Sequence, residues 1–271
     1  MIKILKGDCR ELLKQIDSES IDCVITSPPY DEIRNYNQTL VWNFDVFKDI
    51  ANELFRVIKK GGVVVWVVGD ATIDGDETGT SFRQALYFKE VGFKLHDTMI
   101  YQKHNPVPNA GNRYQQCFEY MFVFSKGAPK TTNIMKVERR NECNDKRTQR
   151  VKFGNRNIDG DFGKRHQVRV NEYVPRQNIW EYMVGLYNST SDKEAFQHPA
   201  IFPEQLAYDH IVSWTNENDT VLDPFMGSGT VGKMCVLLKR NFIGMEIVDD
   251  YVKLSQDRIT TTIKSMGEEL I

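Results

Sequence analysis

A chain of 271 residues with 41% hydrophobic, 27% charged and 11% aromatic content is long enough for one large domain or two small ones. Its composition excludes wholesale disorder and fibrous repeats. The longest wholly apolar run, residues 63–68, falls far short of the roughly 20 residues of a membrane span, and the N-terminus lacks an apolar signal core. No membrane is expected, and the expected location is the cytoplasm. The formal net charge of −2 hides an asymmetry: residues 130–176 carry 13 Lys and Arg against 6 Asp and Glu, leaving 22 against 31 elsewhere. One stretch is a basic island on an acidic body.

In chain order, residues 22–25 form a short apolar strand stopped by Ser27-Pro28-Pro29-Tyr30, followed by a polar and aromatic loop to residue 43. Phe47, Ile50, Ala51, Leu54, Phe55 and Ile58 recur at helical spacing, with Asp45 as the N-cap and Gly61-Gly62 as the stop. Residues 63–68 are β-branched and unalternating, as in a central parallel strand covered on both faces. A polar loop to residue 80, a helix over 81–91 and strands over 94–102 and 120–124 follow. The basic island reads as an inserted, loop-rich module. After it come a helix over 204–214, a strand over 220–222, a helix over 230–239, a strand over 242–246 and a helix from Asp249. Strands alternating with helices predict an α/β fold, a doubly wound, mostly parallel sheet.

Asp223-Pro224-Phe225-Met226-Gly227-Ser228-Gly229-Thr230 lies between a predicted strand and a predicted helix. Glycines there let a backbone approach a ligand, and the helix start offers unpaired amide donors. The next strand ends in Glu246, where nucleotide-binding sheets place an acid against ribose hydroxyls. A lysine of the phosphate-loop type is missing, as is the third glycine that suits a dinucleotide, so a nucleoside-containing cofactor fits best. In Ser27-Pro28-Pro29-Tyr30, two prolines remove two backbone donors and leave carbonyls projecting at a strand end. The serine adds an acceptor and the tyrosine a stacking face.

Together, Thr-Ser-Pro-Pro-Tyr and the distal Asp-Pro-Phe-Met-Gly-Ser-Gly-Thr resemble the amino-methylating DNA methyltransferases. With the Pro-Pro element first, the Gly-rich element near the C-terminus and a basic insert between, the order is similar to the beta-type permutation. The resemblance implies a Rossmann-like fold, S-adenosylmethionine as cofactor and double-stranded DNA as partner, with a homodimer and a cognate restriction endonuclease as further expected partners. It divides the chain into a catalytic part (1–129), a target-recognition insert (130–176) and a cofactor-binding part (177–271).

Carried over residue by residue, Ser27, Pro28, Pro29 and Tyr30 match the catalytic element. Asp223, Phe225, Gly227, Ser228, Gly229 and Thr230 match the cofactor turn, and Glu246 the ribose acid. Asp8 matches the acid near the cofactor adenine, and His198 and Phe202 lie in the segment that closes over the cofactor. The resemblance implies methyl transfer to an exocyclic nitrogen, cytosine N4 being favoured by Ser27 and adenine N6 the alternative. The five cysteines (Cys9, Cys23, Cys117, Cys143, Cys235) never follow proline, which argues against thiolate attack on C5 of cytosine. They also lack metal-ligand spacing, so no metal is expected.

For DNA, Arg34 and Tyr36 follow the catalytic turn. The insert supplies Arg139, Arg140, Lys146, Arg147, Arg150 and Lys152, then Arg156, Lys164, Arg165 and Arg169, as phosphate or base-edge contacts. An RNA or protein methyltransferase, usually with the two motifs in reverse order, and an inactive DNA-binding relative are the competing readings.

Overall fold

The computed structural model describes residues 1–29, 42–106, 111–138, 150–153, 166–169, 172–185, 188–190 and 192–267, without the side chains of 150–153 and 166–169. β1 (Ile2–Lys6) leads through α1 (Cys9–Leu13) to β2 (Ile21–Thr26), and α2 (Phe44–Val57) runs directly into β3 (Ile58–Val68). A small ribbon, β4 (Thr72–Ile73) with β5 (Asp76–Glu77), precedes α3 (Thr80–Val91), β6 (Lys94–Lys103) and β7 (Phe118–Ser125). Four short strands follow, β8 (Lys136–Glu138), β9 (Arg150–Phe153), β10 (His166–Arg169) and β11 (Tyr173–Pro175), then β12 (Ile179–Tyr182). Next come α4 (Glu204–Trp214), β13 (Thr220–Asp223), α5 (Thr230–Leu237), β14 (Asn241–Glu246) and α6 (Asp249–Ser265).

These elements fall into two compact units, Met1–Asn133 with Asn178–Ile271, and Ile134–Gln177. The first segment of the larger unit ends at Asn133 for a visible reason. Its amide N–H donates to Ser213 O at 2.8 Å, and its side-chain amide reaches Val212 O, Thr215 O and Asn216 Oδ1 at 3.1–3.2 Å. The chain up to 133 is thus tied to the end of α4. In the smaller unit the described residues form two antiparallel ribbons, β8 with β11 and β9 with β10. Arg150 stands opposite Arg169 and Lys152 opposite Gln167 in the β9–β10 register.

The larger unit is built on an eight-stranded sheet in the order β1-β14-β13-β2-β3-β7-β6-β12. Neighbours are parallel except where β7 pairs antiparallel with both β3 and β6. The fold class is therefore the doubly wound, mostly parallel one expected. Residues 63–68, however, are parallel to a neighbour on one side only, because β6 and β7 form a hairpin that returns between β3 and β6. Helices α1, α2 and α3 cover one face and α4, α5 and α6 the other. The main apolar cluster lies under the first three, where Phe47, Trp66 and Phe88, all fully buried, meet edge to face at 5.2–5.7 Å.

Other boundaries differ from the sequence reading. Asn43, not Asp45, caps α2, its side chain accepting from Val46 N at 2.9 Å, while Asp45 pairs with Lys48 in the first turn at 2.6 Å. Gly61-Gly62 does not stop the helix but lies inside β3, where Gly61 exchanges backbone hydrogen bonds with Lys126 and Lys130. The expected polar loop before residue 80 contains the β4–β5 ribbon. Strands β1 and β12 and helix α1 carried too little pattern to be read. Each is only four or five residues long. Among the described residues no helix is long and apolar enough to cross a membrane.

Candidate active site

Parallel neighbours end at the same edge of a sheet, and here β1, β14, β13 and β2 end side by side. The next residues along the chain are Gly7-Asp8 after β1 and Ser27 after β2, while β13 and β14 close on Asp223 and Glu246 themselves. The chain leaves β13 toward α5 on one face and β2 toward α2 on the other, so the two ends flank a crevice at a topological switch point. A cavity of about 640 Å³ opens there, within the range that holds a small-molecule ligand. Asp8, Ser27, Pro28, Pro29, His198, Phe202, Asp223, Phe225, Gly227, Ser228, Thr230 and Glu246 line it, every one drawn from the sequence motifs.

Each carboxylate of the cavity is held differently. Glu246 Oε2 accepts from Gly227 N, and Oε1 accepts from Ile247 N and Val248 N, all at 2.9 Å. Burial raises its pKa, against the pull of those three donors. Asp223 is buried, and its Oδ1 accepts from Thr26 Oγ1 at 2.6 Å and from Phe225 N at 3.1 Å. Burial pushes its pKa up to about 7, the two donors offsetting part of that and the nearby Glu246 adding to it. Asp8 caps the short α1 and is gripped by Arg10, whose Nη2 lies 2.6 Å from Oδ2. That guanidinium holds its carboxyl below the usual range.

The Gly-rich turn is shaped by close approach. Gly227 has φ +51°, and a Cβ there would stand 2.9 Å from His198 Nε2, so the imidazole lies directly against the turn. His198 is held in turn by Tyr251, ring to ring at 4.3 Å, and by Ala200 through Nδ1. Gly229 does something else. It has φ +78° and faces Ser255 of α6, where a Cβ would come within 2.7 Å, and it is absent from the cavity wall. It brings α6 against the start of α5 rather than a ligand against the backbone. Phe225 packs edge-on between Trp42, at 5.4 Å, and Trp66, at 6.2 Å.

Two features escaped the sequence reading. The Thr26–Asp223 bond joins residues 197 apart, so only the pairing of β2 with β13 brings them together. Trp42, at the foot of α2, also lines the cavity, as do Lys103 and Glu119, ion-paired at 2.6 Å on its far wall. No motif marked them. Tyr30, Arg34, Tyr36, Arg139, Arg140, Lys146, Arg147, Arg156, Lys164 and Arg165 lie outside the described residues, and Arg150, Lys152 and Arg169 are described by backbone only.

A mostly parallel sheet with this crevice, a Gly-rich turn after one strand and an acid closing the next defines a Rossmann-like, nucleoside-binding fold. Residues 21–257 match the N6_N4_Mtase family of DNA methylases, and the chain belongs to that family. It is 53% identical over 258 residues to the orphan methyltransferase M.BamHII of Bacillus amyloliquefaciens, covering 95% of this chain and 91% of that one. Among solved structures, the fold is similar to the cytosine-N4-specific PvuII DNA methyltransferase (TM-score 0.70, 21% identity, 99% of this chain and 93% of that one). It is also similar to M1.HpyAVI in complex with S-adenosylmethionine (TM-score 0.62, 26% identity, 96% and 99%). The protein is a DNA methyltransferase with S-adenosylmethionine as its cofactor.

The residues present fit that cofactor. Glu246 has both oxygens oriented by backbone donors yet lines the cavity, where a ribose diol needs acceptors. The Thr26 and Phe225 bonds to Asp223 both fall on Oδ1, so Oδ2 would be the atom to accept from a cationic amino group.

Proposed function

We propose that this enzyme methylates the exocyclic N4 of cytosine in double-stranded DNA at a specific site. The observation that carries the reading is the join between the two motifs: Thr26 Oγ1 to Asp223 Oδ1 at 2.6 Å sets Ser27-Pro28 beside the turn 223–230. The cofactor supplies an electrophilic methyl group.

The residues of the chain do the rest. Glu246 holds the ribose, Asp223 and the 227–230 turn the methionine end, and Asp8 the adenine amino group, with His198 and Phe202 closing the cavity. An exocyclic amine conjugated to its ring is a poor nucleophile. The Ser27 hydroxyl and the Pro28 carbonyl accept its two N–H bonds, draw it toward tetrahedral geometry and stabilise the positive charge that develops. Tyr30 stacks on the base once it has turned out of the duplex. No cysteine nucleophile is used.

A serine rather than Asp or Asn before Pro-Pro-Tyr supports cytosine. The basic residues of 130–176, among them Arg150, Lys152 and Arg169 in register on β9 and β10, would take the DNA phosphates. The test is incubation with duplex DNA and methyl-labelled S-adenosylmethionine, then digestion and mass spectrometry of the nucleosides. N4-methylcytosine is the expected product. N6-methyladenine would keep the mechanism and overturn the base assignment.

A further inference from the structure

The segment 192–203 forms much of the cavity wall through Phe196, His198 and Phe202, yet its one regular element is a five-residue 3-10 turn, Lys193–Gln197. A group of four charges outside the cavity wall ties its ends down, two acids at its ends and two cations on the helices behind it.

Arg258 of α6, its side chain 1% exposed, donates Nε to Asp192 Oδ2 at 3.1 Å and Nη2 to Glu204 Oε1 at 3.0 Å. Lys233 of α5 donates Nζ to the same two oxygens at 2.8 Å each. Thr190 Oγ1 adds a bond to Glu204 Oε1 at 2.5 Å. The remaining arm of the guanidinium points the other way. Nη1 donates to Ser228 O at 2.5 Å and lies 3.2 Å from both Ser228 Oγ and Thr230 Oγ1.

Two cations and two carboxylates leave the group neutral, so the cost of its burial is partly offset. Losing any one member strands the others. A single planar fork meets the covering segment on one edge and the Gly-rich turn on the other, which a point charge such as lysine cannot do. Neither Arg258 nor Lys233 lines the cavity itself.

We propose that Arg258, with Lys233 beside it, is the positioning residue that seats the 192–203 segment against the 227–230 turn and thereby sets affinity for the cofactor. The proposal rests on the reading of this cavity as the cofactor site. The residue acts through Ser228, Thr230, Asp192 and Glu204, not by touching the ligand.

The test compares Arg258→Lys, Asp192→Asn and Glu246→Ala in the full chain, by calorimetric binding of S-adenosylmethionine and by steady-state methylation of duplex DNA. Arg258→Lys keeps the charge and loses the fork, and its Kd and KM for cofactor are expected to rise about tenfold. Its kcat at saturating cofactor and its KM for DNA should stay within about twofold, because the groups facing the base are untouched. Asp192→Asn should shift the same quantities in the same direction, and being a partly exposed loop position it reports even if Arg258→Lys does not fold. Lowered Tm with an unchanged cofactor Kd in these variants, while Glu246→Ala binds weakly, would show a purely structural cluster and overturn the proposal alone. An unchanged Kd in Glu246→Ala as well would overturn the reading of the cavity, and the proposal with it.

Discussion

The turns after β2 and β13 leave neighbouring strands at one sheet edge, joined by the Thr26–Asp223 bond, and they are built by opposite means. After β13, the chain is gripped from all sides: Gly227 by the His198 ring and Glu246, Gly229 by α6, Ser228 and Thr230 by Arg258. After β2, two prolines remove backbone donors, and Ser27, Pro28 and Pro29 line the cavity. The first arrangement suits a large polar ligand that must be held in one pose. The second suits a base that arrives, reacts and leaves, with charge developing at one nitrogen. In the proposed reading, holding falls to many fixed bonds on the β13 side and chemistry to the few acceptors on the β2 side.

That contrast can be broken experimentally. The largest expected effect is on the proline side. Ser27→Ala removes an acceptor aimed at developing charge, and kcat should fall roughly 10²–10³-fold with cofactor Kd nearly unchanged. Equal losses in kcat and cofactor affinity would show that the two turns do not divide the work.

The next concerns pH. The folded value for Asp223, about 7, is above its unfolded value of 3.8, so the folded state keeps a proton that the unfolded state has released. The sign follows: the contribution of Asp223 to apo stability is full below about pH 4 and is lost as pH rises toward 7. The decline is up to roughly 4 kcal/mol relative to Asp223→Asn. Urea unfolding of both proteins across that window measures it, and parallel curves would refute the buried-acid picture. If Asp223 meets the cationic amino group as proposed, cofactor binding should tighten between pH 6 and 8 in the wild type and not in Asp223→Asn.

Smaller is Thr26→Val, which deletes the donor joining the two turns and leaves Asp223 Oδ1 with the Phe225 amide alone. It should cost about 1–3 kcal/mol by urea unfolding. The smallest effect lies away from both turns. Replacing Arg150, Lys152 and Arg169 with Gln should reduce the slope of log affinity for DNA against log salt by about 3 at most. An unchanged slope would remove the β9–β10 ribbon from the DNA interface.

Much of this was legible in one dimension, because motifs at strand ends are local. Ser27-Pro28-Pro29, the 223–230 turn and Glu246 each announce themselves within a few residues, and a parallel sheet then brings them together at one edge. The helix α4 and strand β14 were readable for the same reason, since periodicity is a local property. The antiparallel course of β7 was not, because an apolar strand carries no sign of direction. Gly229 was read as a ligand-approach glycine, since a glycine placed for a helix and one placed for a ligand look alike in sequence.

By itself, then, the sequence determined the sheet architecture, the family and the two turns, all of them encoded in residue spacing and backbone stereochemistry. Only the tertiary structure decided which distant side chains meet. Thr26 on Asp223, Arg258 between the Gly-rich turn and the segment over it, and Trp42 on Phe225 are pairings across long stretches of chain. Such contacts depend on strand order and helix placement, which no local pattern carries. Burial in that arrangement raises the pKa of Asp223 against the pull of Thr26, and the Arg258 bonds tie the segment 192–203 to the Gly-rich turn.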